Sequence, residues 1–236
     1  MRSYIIHMRG DQNRRENVRR LLNILPKAQI ADAVVGRDAL ETTAIVPGTH
    51  VLPHYPFPLG PGEVGCFLSH RQCWQKIITA DVEYALIAED DLDIDPIIWP
   101  DVLDLINTHA SADTYIRLPV KNRERPATTV AERDRARLFL PRVIGLQTVC
   151  QVVGRNAAAR LLAASDVLDR PVDTFVQMHW ATGQVVHTIY PNGLGELTDE
   201  LGGSTIQRKT RTENFAAREI KRLVYRARIG ARPQKV

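Results

Sequence analysis

The first apolar run of the chain, Tyr4-Ile5-Ile6, is short, continuous and flanked by polar residues, and it predicts a buried strand over residues 3–7. A polar turn, Arg9-Gly10-Asp11-Gln12-Asn13, leads into Val18, Leu21, Leu22 and Leu25. Their helical spacing predicts a helix over residues 14–25, stopped by Pro26. Residues 31–38 read as a short strand entering a loop. Pro47, Pro53, Pro56, Pro58 and Pro61 then make residues 47–61 an extended loop, because proline donates no backbone hydrogen bond and fixes its own φ. Beyond Gly62 and Glu63 a second helix runs through Phe67, Leu68, Cys73, Trp74, Ile77 and Ile78. The clearest strand of the chain follows, Tyr84-Ala85-Leu86-Ile87-Ala88, and it ends abruptly in Glu89-Asp90-Asp91-Leu92-Asp93-Ile94-Asp95.

The second half is less regular. Residues 100–106 read as a helix, 114–118, 138–140, 148–153 and 185–190 as strands, and 157–164 as a helix. Residues 121–137 are charged and patternless, and predict an irregular, mobile surface segment with no more than a helical turn. Residues 171–180 carry one further acid, Asp173. Strands alternating with helices give the α/β class. Carboxylates clustered after a strand lie at the carboxyl edge of the sheet, where open α/β sheets bind ligands.

The length, 236 residues with 44% hydrophobic and 25% charged, suits one α/β domain with appendages. The net charge of +4 conceals an asymmetry: residues 207–236 hold ten Lys/Arg against Glu213 and Glu219, so this tail is strongly basic and the remainder acidic. A basic charge confined to a tail speaks against a nucleic-acid-binding fold. Within the tail, Ala216, Ile220, Leu223, Val224 and Ala227 recur at helical spacing among Arg218, Lys221, Arg222, Arg226 and Arg228. This predicts an amphipathic helix able to lie on an anionic membrane surface, or alternatively to pack its stripe on the domain. The expected organisation is a catalytic domain over residues 1–206 and a basic amphipathic tail over 207–236. No apolar run approaches the roughly 20 residues of a membrane span, and no export signal opens the chain, so the expected location is cytoplasmic and peripheral at the inner membrane face. Cys66, Cys73 and Cys150 have no zinc-type or Cys-x-x-Cys spacing and read as reduced, mostly buried thiols.

Two strings carry candidate chemistry. Carboxylates crowded at one strand end repel one another unless a cation sits among them, and Mg²⁺ or Mn²⁺ takes oxygen ligands of this kind; a solvated acidic turn has the same composition. The string Gly62-Glu63-Val64-Gly65-Cys66-Phe67-Leu68-Ser69-His70 places two glycines and a glutamate at a helix start, with Ser69 and His70 inside an otherwise apolar helix. An anion-binding turn and a capped helix with a satisfied core histidine both account for it.

Together, GEVGCFLSH, Trp74 and LIAEDDLDID resemble glycosyltransferase family 25, whose members include bacterial lipooligosaccharide galactosyltransferases and relatives of the collagen galactosyltransferases. YIIHMRGDQNRRENV, ADAVVGRD, VVGRNAAARLL and Pro171-Val172-Asp173 resemble further family segments in the same order. The chain departs from the family at Gln147-Thr148 and Gln151, where a Gly-Thr and a Tyr are usual, and at Val35, where an Asp is usual.

The resemblance implies a GT-A type, Rossmann-like nucleotide-binding fold. It further implies inverting transfer of a hexose, most usually galactose, from a UDP-sugar donor to a glycan or lipid-linked acceptor of the lipopolysaccharide kind. Glu89, Asp91 and Asp93 become the candidate ligands of Mn²⁺ or Mg²⁺; Asp91 and Asp93, at alternate positions, are expected to share one ion. Asp173 becomes the candidate base, with a helix cap as its alternative. Arg9, Arg14, Glu63, Ser69, His70 and Asp90 become candidate donor-binding residues, with solvated helix faces as the alternative for Arg14 and Arg15. His179 and His187 are further candidate metal ligands, and a strand-buried histidine is the simpler account of His187. Two other classes remain in view: a signalling receiver domain, whose first strand also ends in paired acids, and a glycan-binding homologue without catalysis.

Overall fold

The structure is a computed structural model that describes residues 1–121, 123–203 and 215–235. It opens with β1 (Arg2–His7), α1 (Arg15–Ile24), β2 (Ala28–Asp32), the short α2 (Gly36–Ala39) and the long α3 (Pro61–Thr79). Next come β3 (Tyr84–Glu89), β4 (Leu92–Ile94), α4 (Trp99–His109) and β5 (Tyr115–Arg117), then the hairpin β6 (Pro126–Arg133) and β7 (Ala136–Pro141). The remainder is β8 (Cys150–Gly154), α5 (Arg155–Ala163), α6 (Val172–Val176), α7 (His179–Thr182), β9 (His187–Ile189), β10 (Leu194–Glu196) and α8 (Phe215–Gly230).

Eight strands form one mixed sheet in the order β2-β1-β3-β8-β5-β9-β7-β6, and β10 pairs with β4 in a small second sheet. β1 is parallel to β2 and β3, and β5 to β9, whereas β8 runs antiparallel to both β3 and β5. This is a mixed, Rossmann-like α/β sheet. The reversed β8 and β7 exclude the receiver reading, which needs parallel strands throughout.

Apolar residues on both sheet faces explain why the central strands read as continuous runs rather than alternations. On one face Val18 and Leu21 of α1, with Leu25 just after it, pack with Val102, Leu105 and Ile106 of α4; on the other, Phe67, Trp74 and Ile77 of α3 pack with Ala157 and Leu161 of α5. Burial of each large side chain contributes about 1.5–3 kcal/mol. Two glycines set the approach of α3. A Cβ on Gly65 would lie 2.6 Å from the Val34 carbonyl oxygen, and one on Gly36 only 1.7 Å from that of Pro61. Gly65 of the GEVG string therefore serves a helix-to-backbone contact with Gly36 opposite it, and Ser69 Oγ accepts from Val34 N–H at 2.9 Å and donates to the Gly65 carbonyl.

The segment expected to be irregular is instead the β6–β7 hairpin, turned at Asp134-Arg135. β6 is an almost wholly exposed edge strand, so it lacks the apolar alternation that marks a strand in sequence, and its bulges break the period further.

α8 lies against the domain through buried Tyr225 and Ile229, and beyond it Gln234 bonds the backbone of Arg142, Pro141 and Val186. Its docked face is thus offset from the expected stripe: Ile220, Leu223 and Val224 are 60%, 61% and 45% exposed. Residues 207–214 and the side chain of Ala216 lie outside the described residues. No helix among the described residues is long and apolar enough to cross a membrane.

Candidate active site

β3 delivers Glu89, and the turn after it delivers Asp90 and Asp91, to the carboxyl edge of the sheet. The turn is held from below by Asn17, whose amide donates to the Asp90 and Leu92 carbonyls, and from above by Leu197 N–H on the Asp91 carbonyl. Asp90 is buried and fully engaged: one oxygen lies 2.7 Å from His7 Nδ1, and the other accepts from Arg14 Nη1 at 2.5 Å. Arg14 Nη1 also lies 3.1 Å from Asp91 Oδ2, and Nη2 donates to the Gly203 carbonyl at 3.1 Å. Arg14 is therefore a buried organiser of the acidic turn rather than a solvated helix residue.

Asp91 differs from Asp90 in one respect. Its Oδ2 accepts from Thr198 Oγ1 at 2.8 Å, but its Oδ1, equally buried, has no partner among the described residues. A buried carboxylate oxygen without a donor is costly, by about 1–3 kcal/mol or more for a charged group, and it marks where a cation or a donor fits. Glu196, at the end of β10, joins this edge. Burial, with the charges of Asp91 and Glu89 added, raises its pKa. Asp93 stands apart, since it sits on β4 and pairs with Arg20 at 2.7 Å in a half-exposed bridge. Asp91 and Asp93 are thus committed to different arginines. The expected sharing of one ion does not follow from this arrangement, because Asp91 lies in the turn and only Asp93 in the strand.

On the other side of the edge, α3 presents Cys66 and His70 to Glu89. His70 is wholly buried; its Nδ1 lies 2.7 Å from Gln151 Nε2, whose carbonyl oxygen accepts from the Tyr115 hydroxyl. His70 Nε2 is 3.7 Å from Glu89 Oε1 and has no hydrogen-bond partner. Glu63 caps α3 by accepting from Gly60 N–H at 2.7 Å; burial nevertheless raises its pKa, against that bond and with help from the Asp173 charge.

Asp173 opens α6 after Pro171 and accepts from Thr174 N–H at 2.7 Å. Burial raises its pKa, the N–H groups of Thr174 and Gln147 and the Arg117 charge pull it down, and Glu89 pushes it up again. Gln147 is among the few non-glycine residues with positive φ, +82°, in the region that favours glycine. Its side chain bridges, accepting from Lys121 N–H at 3.0 Å and donating to Glu196 at 3.2 Å. Buried Arg117 donates to the Gln147 carbonyl at 3.2 Å and pairs with Glu124.

Arg9 is exposed and pairs with Asp32 at 3.2 Å, at the ends of β1 and β2 on the same carboxyl edge but outside the buried acidic cluster. His179 Nε2–H donates to the Arg232 carbonyl at 3.1 Å, and burial lowers the pKa of His187 on β9; neither belongs to the acidic edge. Gln147, Arg117, Glu196 and Thr198 were not singled out from sequence as site residues, being isolated polar residues in loops or strand ends. The one available signal was Gln147 standing where the resembling family carries glycine. Beside the site, a groove of about 760 Å³ runs between the proline-rich loop and α8, bordered by Tyr55, Phe57, Ile220, Val224 and Tyr225.

The fold and its edge define the class: a Rossmann-like α/β glycosyltransferase architecture with carboxylates gathered where the central strands end. The family model described as glycosyltransferase family 25 (LPS biosynthesis protein) matches residues 1–176. The chain belongs to glycosyltransferase family 25. It is 30% identical over 191 residues to procollagen galactosyltransferase 2 of Homo sapiens, covering 73% of this chain and 29% of that one. To a glycosyltransferase 25 family member of Drosophila melanogaster it is 27% identical over 190 residues, covering 75% and 30%. A mouse relative described as inactive glycosyltransferase 25 family member 3 is 34% identical over 89 residues, covering 38% of this chain and 15% of that one. The match therefore spans less than a third of the length of these curated relatives.

Proposed function

We propose that this chain transfers a hexose, galactose in first place, from a UDP-sugar to the hydroxyl of a surface-glycan acceptor of the lipopolysaccharide kind, with inversion and with the help of Mn²⁺ or Mg²⁺. The observation that carries the reading is the buried, unpartnered Oδ1 of Asp91 at an acidic strand edge that also holds Glu89 and Glu196. The Asp91 and Glu196 oxygens fit a hard divalent cation, which when bound supplies charge neutralisation for a departing nucleoside diphosphate, while Glu89 faces His70 at 3.7 Å. Asp93 remains a candidate only through movement of its bridge to Arg20. The galactosyltransferase description of the human relative supports galactose as the first donor to test.

The chain's own residues account for the rest. Arg14, fixed by Asp90 and His7, holds Asp91 in place, so Asp90 acts through positioning. Asp173 in its ionised form removes the acceptor hydroxyl proton as the sugar carbon is attacked, and its raised pKa strengthens it as a base near neutrality. Glu63 and His70 line the same edge, while Ser69 positions α3 and Arg9 awaits a donor in solvent. Exposed Ile220, Leu223 and Val224, with Lys221, Arg226 and Arg228 around them, support docking of α8 on an anionic membrane surface, at the inner face where lipid-linked acceptors are assembled.

The test is metal-dependent release of nucleoside diphosphate from a panel of nucleotide sugars, with wild type and Asp91→Asn. Turnover by wild type alone, abolished by chelator, is expected. Equal release from both proteins with and without chelator sinks the metal assignment, and no release from any donor favours a glycan-binding homologue without catalysis.

A further inference from the structure

We propose that Cys66, His70 and Glu89 form a binding site for one borderline-soft divalent cation of the Zn²⁺ class, separate from the oxygen site at Asp91. Cys66 and His70 stand one turn apart on the same face of α3, and Glu89 ends the neighbouring strand β3. A sulfur, a nitrogen and a carboxylate oxygen from the three residues lie within 4.8 Å of one another, the one such group of three or more among the described residues. The second observation is independent of that clustering: His70 Nε2 is wholly buried, has no hydrogen-bond partner and faces Glu89 Oε1 at 3.7 Å.

Bond lengths of about 2.3 Å to sulfur and about 2.0–2.2 Å to nitrogen and oxygen put tetrahedral ligand atoms roughly 3.3–3.8 Å apart. The His70–Glu89 separation already meets that spacing. The three atoms lie within 4.8 Å of one another, so binding asks for rotation of the Cys66 side chain as well as of the partly exposed Glu89 carboxyl. Thiolate and carboxylate together cancel the charge of the ion, so the occupied site is neutral as a whole and suits its burial. The thiol proton leaves to solvent as the sulfur–metal bond forms; in the metal-free protein, burial and the nearby Glu89, Asp173 and Glu63 charges keep that thiol protonated. His70 ligates through Nε2 with its proton on Nδ1, which asks the Gln151 amide to turn its oxygen toward the ring and its nitrogen toward the Tyr115 oxygen. Amide and tautomer are interchangeable in this way without loss of a hydrogen bond. Gln151 then fixes the ligand histidine from behind, as partners of metal-bound imidazoles do. Three protein ligands leave a fourth position open toward the cleft. The thiolate selects against Mn²⁺ and Mg²⁺, which separates this ion from the one proposed at Asp91.

The test uses the full chain, freed of metal and titrated with Co²⁺ as a spectroscopic stand-in for Zn²⁺. In excess Mg²⁺, which occupies the oxygen site, wild type is expected to take up one equivalent with a sulfur-to-cobalt charge-transfer band, displaced by Zn²⁺, and X-ray absorption of the zinc form should show one sulfur neighbour. Cys66→Ser should lose the band and weaken binding about a hundredfold. Gln151→Ala should weaken it roughly 10–100-fold with the band retained. Asp91→Asn should keep both band and stoichiometry, whatever happens to turnover. The proposal is overturned if wild type gives no charge-transfer band and zinc no sulfur neighbour, if Cys66→Ser keeps the band, or if Asp91→Asn abolishes it. Because X-ray absorption is read on the unmutated protein, a misfolded variant does not obscure the answer.

Discussion

At the scale of single residues, Asp90 and Asp91 are adjacent acids with opposite assignments, and substitution separates them. Asp90→Asn removes the shared partner of His7 and Arg14 and leaves a buried guanidinium under-compensated. Loss of one member of a buried pair costs about 3–5 kcal/mol, so this variant should show a clearly lower denaturation midpoint. Asp91→Asn should retain stability and lose metal-dependent turnover. Asp173 has a raised pKa, so its carboxylate form is disfavoured by folding and its ionisation weakens the fold as pH rises through that value. Asp173→Asn should therefore melt at or above the wild-type temperature at neutral pH, bind donor normally and turn over about 10²–10⁴ times more slowly. For the same reason the acid limb of the wild-type pH–rate profile should lie above the ordinary aspartate range and vanish in the variant; coupled loss of stability and donor affinity would instead identify a structural cap. Gln147 carries left-handed backbone strain that glycine relieves and alanine does not. Gln147→Gly should exceed Gln147→Ala in stability by about 1–2 kcal/mol, read as a melting temperature several degrees higher. The acidic string was legible because a strand signal ended on it. Arg117, Glu196 and Thr198 were not, since nothing local distinguishes a polar residue that meets the site through chain folding.

At the scale of elements, α1 was legible by its helical period of buried residues, and β3 as a continuous apolar run buried on both faces of the sheet. The β6–β7 hairpin was not, because an exposed edge strand has no face to bury and so no alternation to display. The C-terminal helix illustrates a different limit. Ile220, Leu223 and Val224 of its apolar stripe are exposed, and Tyr225 and Ile229, off that stripe, are the buried residues that attach it, with the Arg170–Tyr225 hydrogen bond. A chain shortened at Gln207 is consequently expected to melt several degrees lower, losing Tyr225, Ile229 and the Gln234 hydrogen bonds together. The membrane reading is better addressed by Leu223→Ser combined with Arg226→Gln, which touches only exposed positions. One apolar anchor and one cation are worth about 2 kcal/mol together, so binding to anionic vesicles at low salt should fall roughly tenfold or more with the melting temperature unchanged. Full-length protein that ignores such vesicles would end that reading.

At the scale of the whole molecule, the acidic edge draws on β1, α1, α3, β3, the loop before β8, α6 and β10, so it exists only in the folded chain. A ligand of that edge therefore binds the native state alone. Nucleoside diphosphate with Mn²⁺ at about a hundred times its dissociation constant should add about 2.7 kcal/mol, a rise of roughly 5–10 °C in melting temperature for a domain of this size. Asp91→Asn should show little of that rise, and a wild type without it would leave the edge without its proposed ligand. The mixed direction of the sheet was not readable from the strands themselves, because apolar runs carry no sign of which way they point. Yet that direction decides which loops face the ligand. Since β8 enters the sheet beside Ala88 and leaves beside Tyr84, the segment that precedes it arrives at the acidic edge, while α5 departs from the opposite one. Substitutions or insertions among residues 142–149 thus remodel the mouth of the cleft without disturbing a helix anchored at the far side. The reversed strand thus sets Gln147 and its neighbours at the ligand's door while the chain leaves β8 on the opposite side, so contacts with a ligand and anchorage of α5 are served by different ends of one strand.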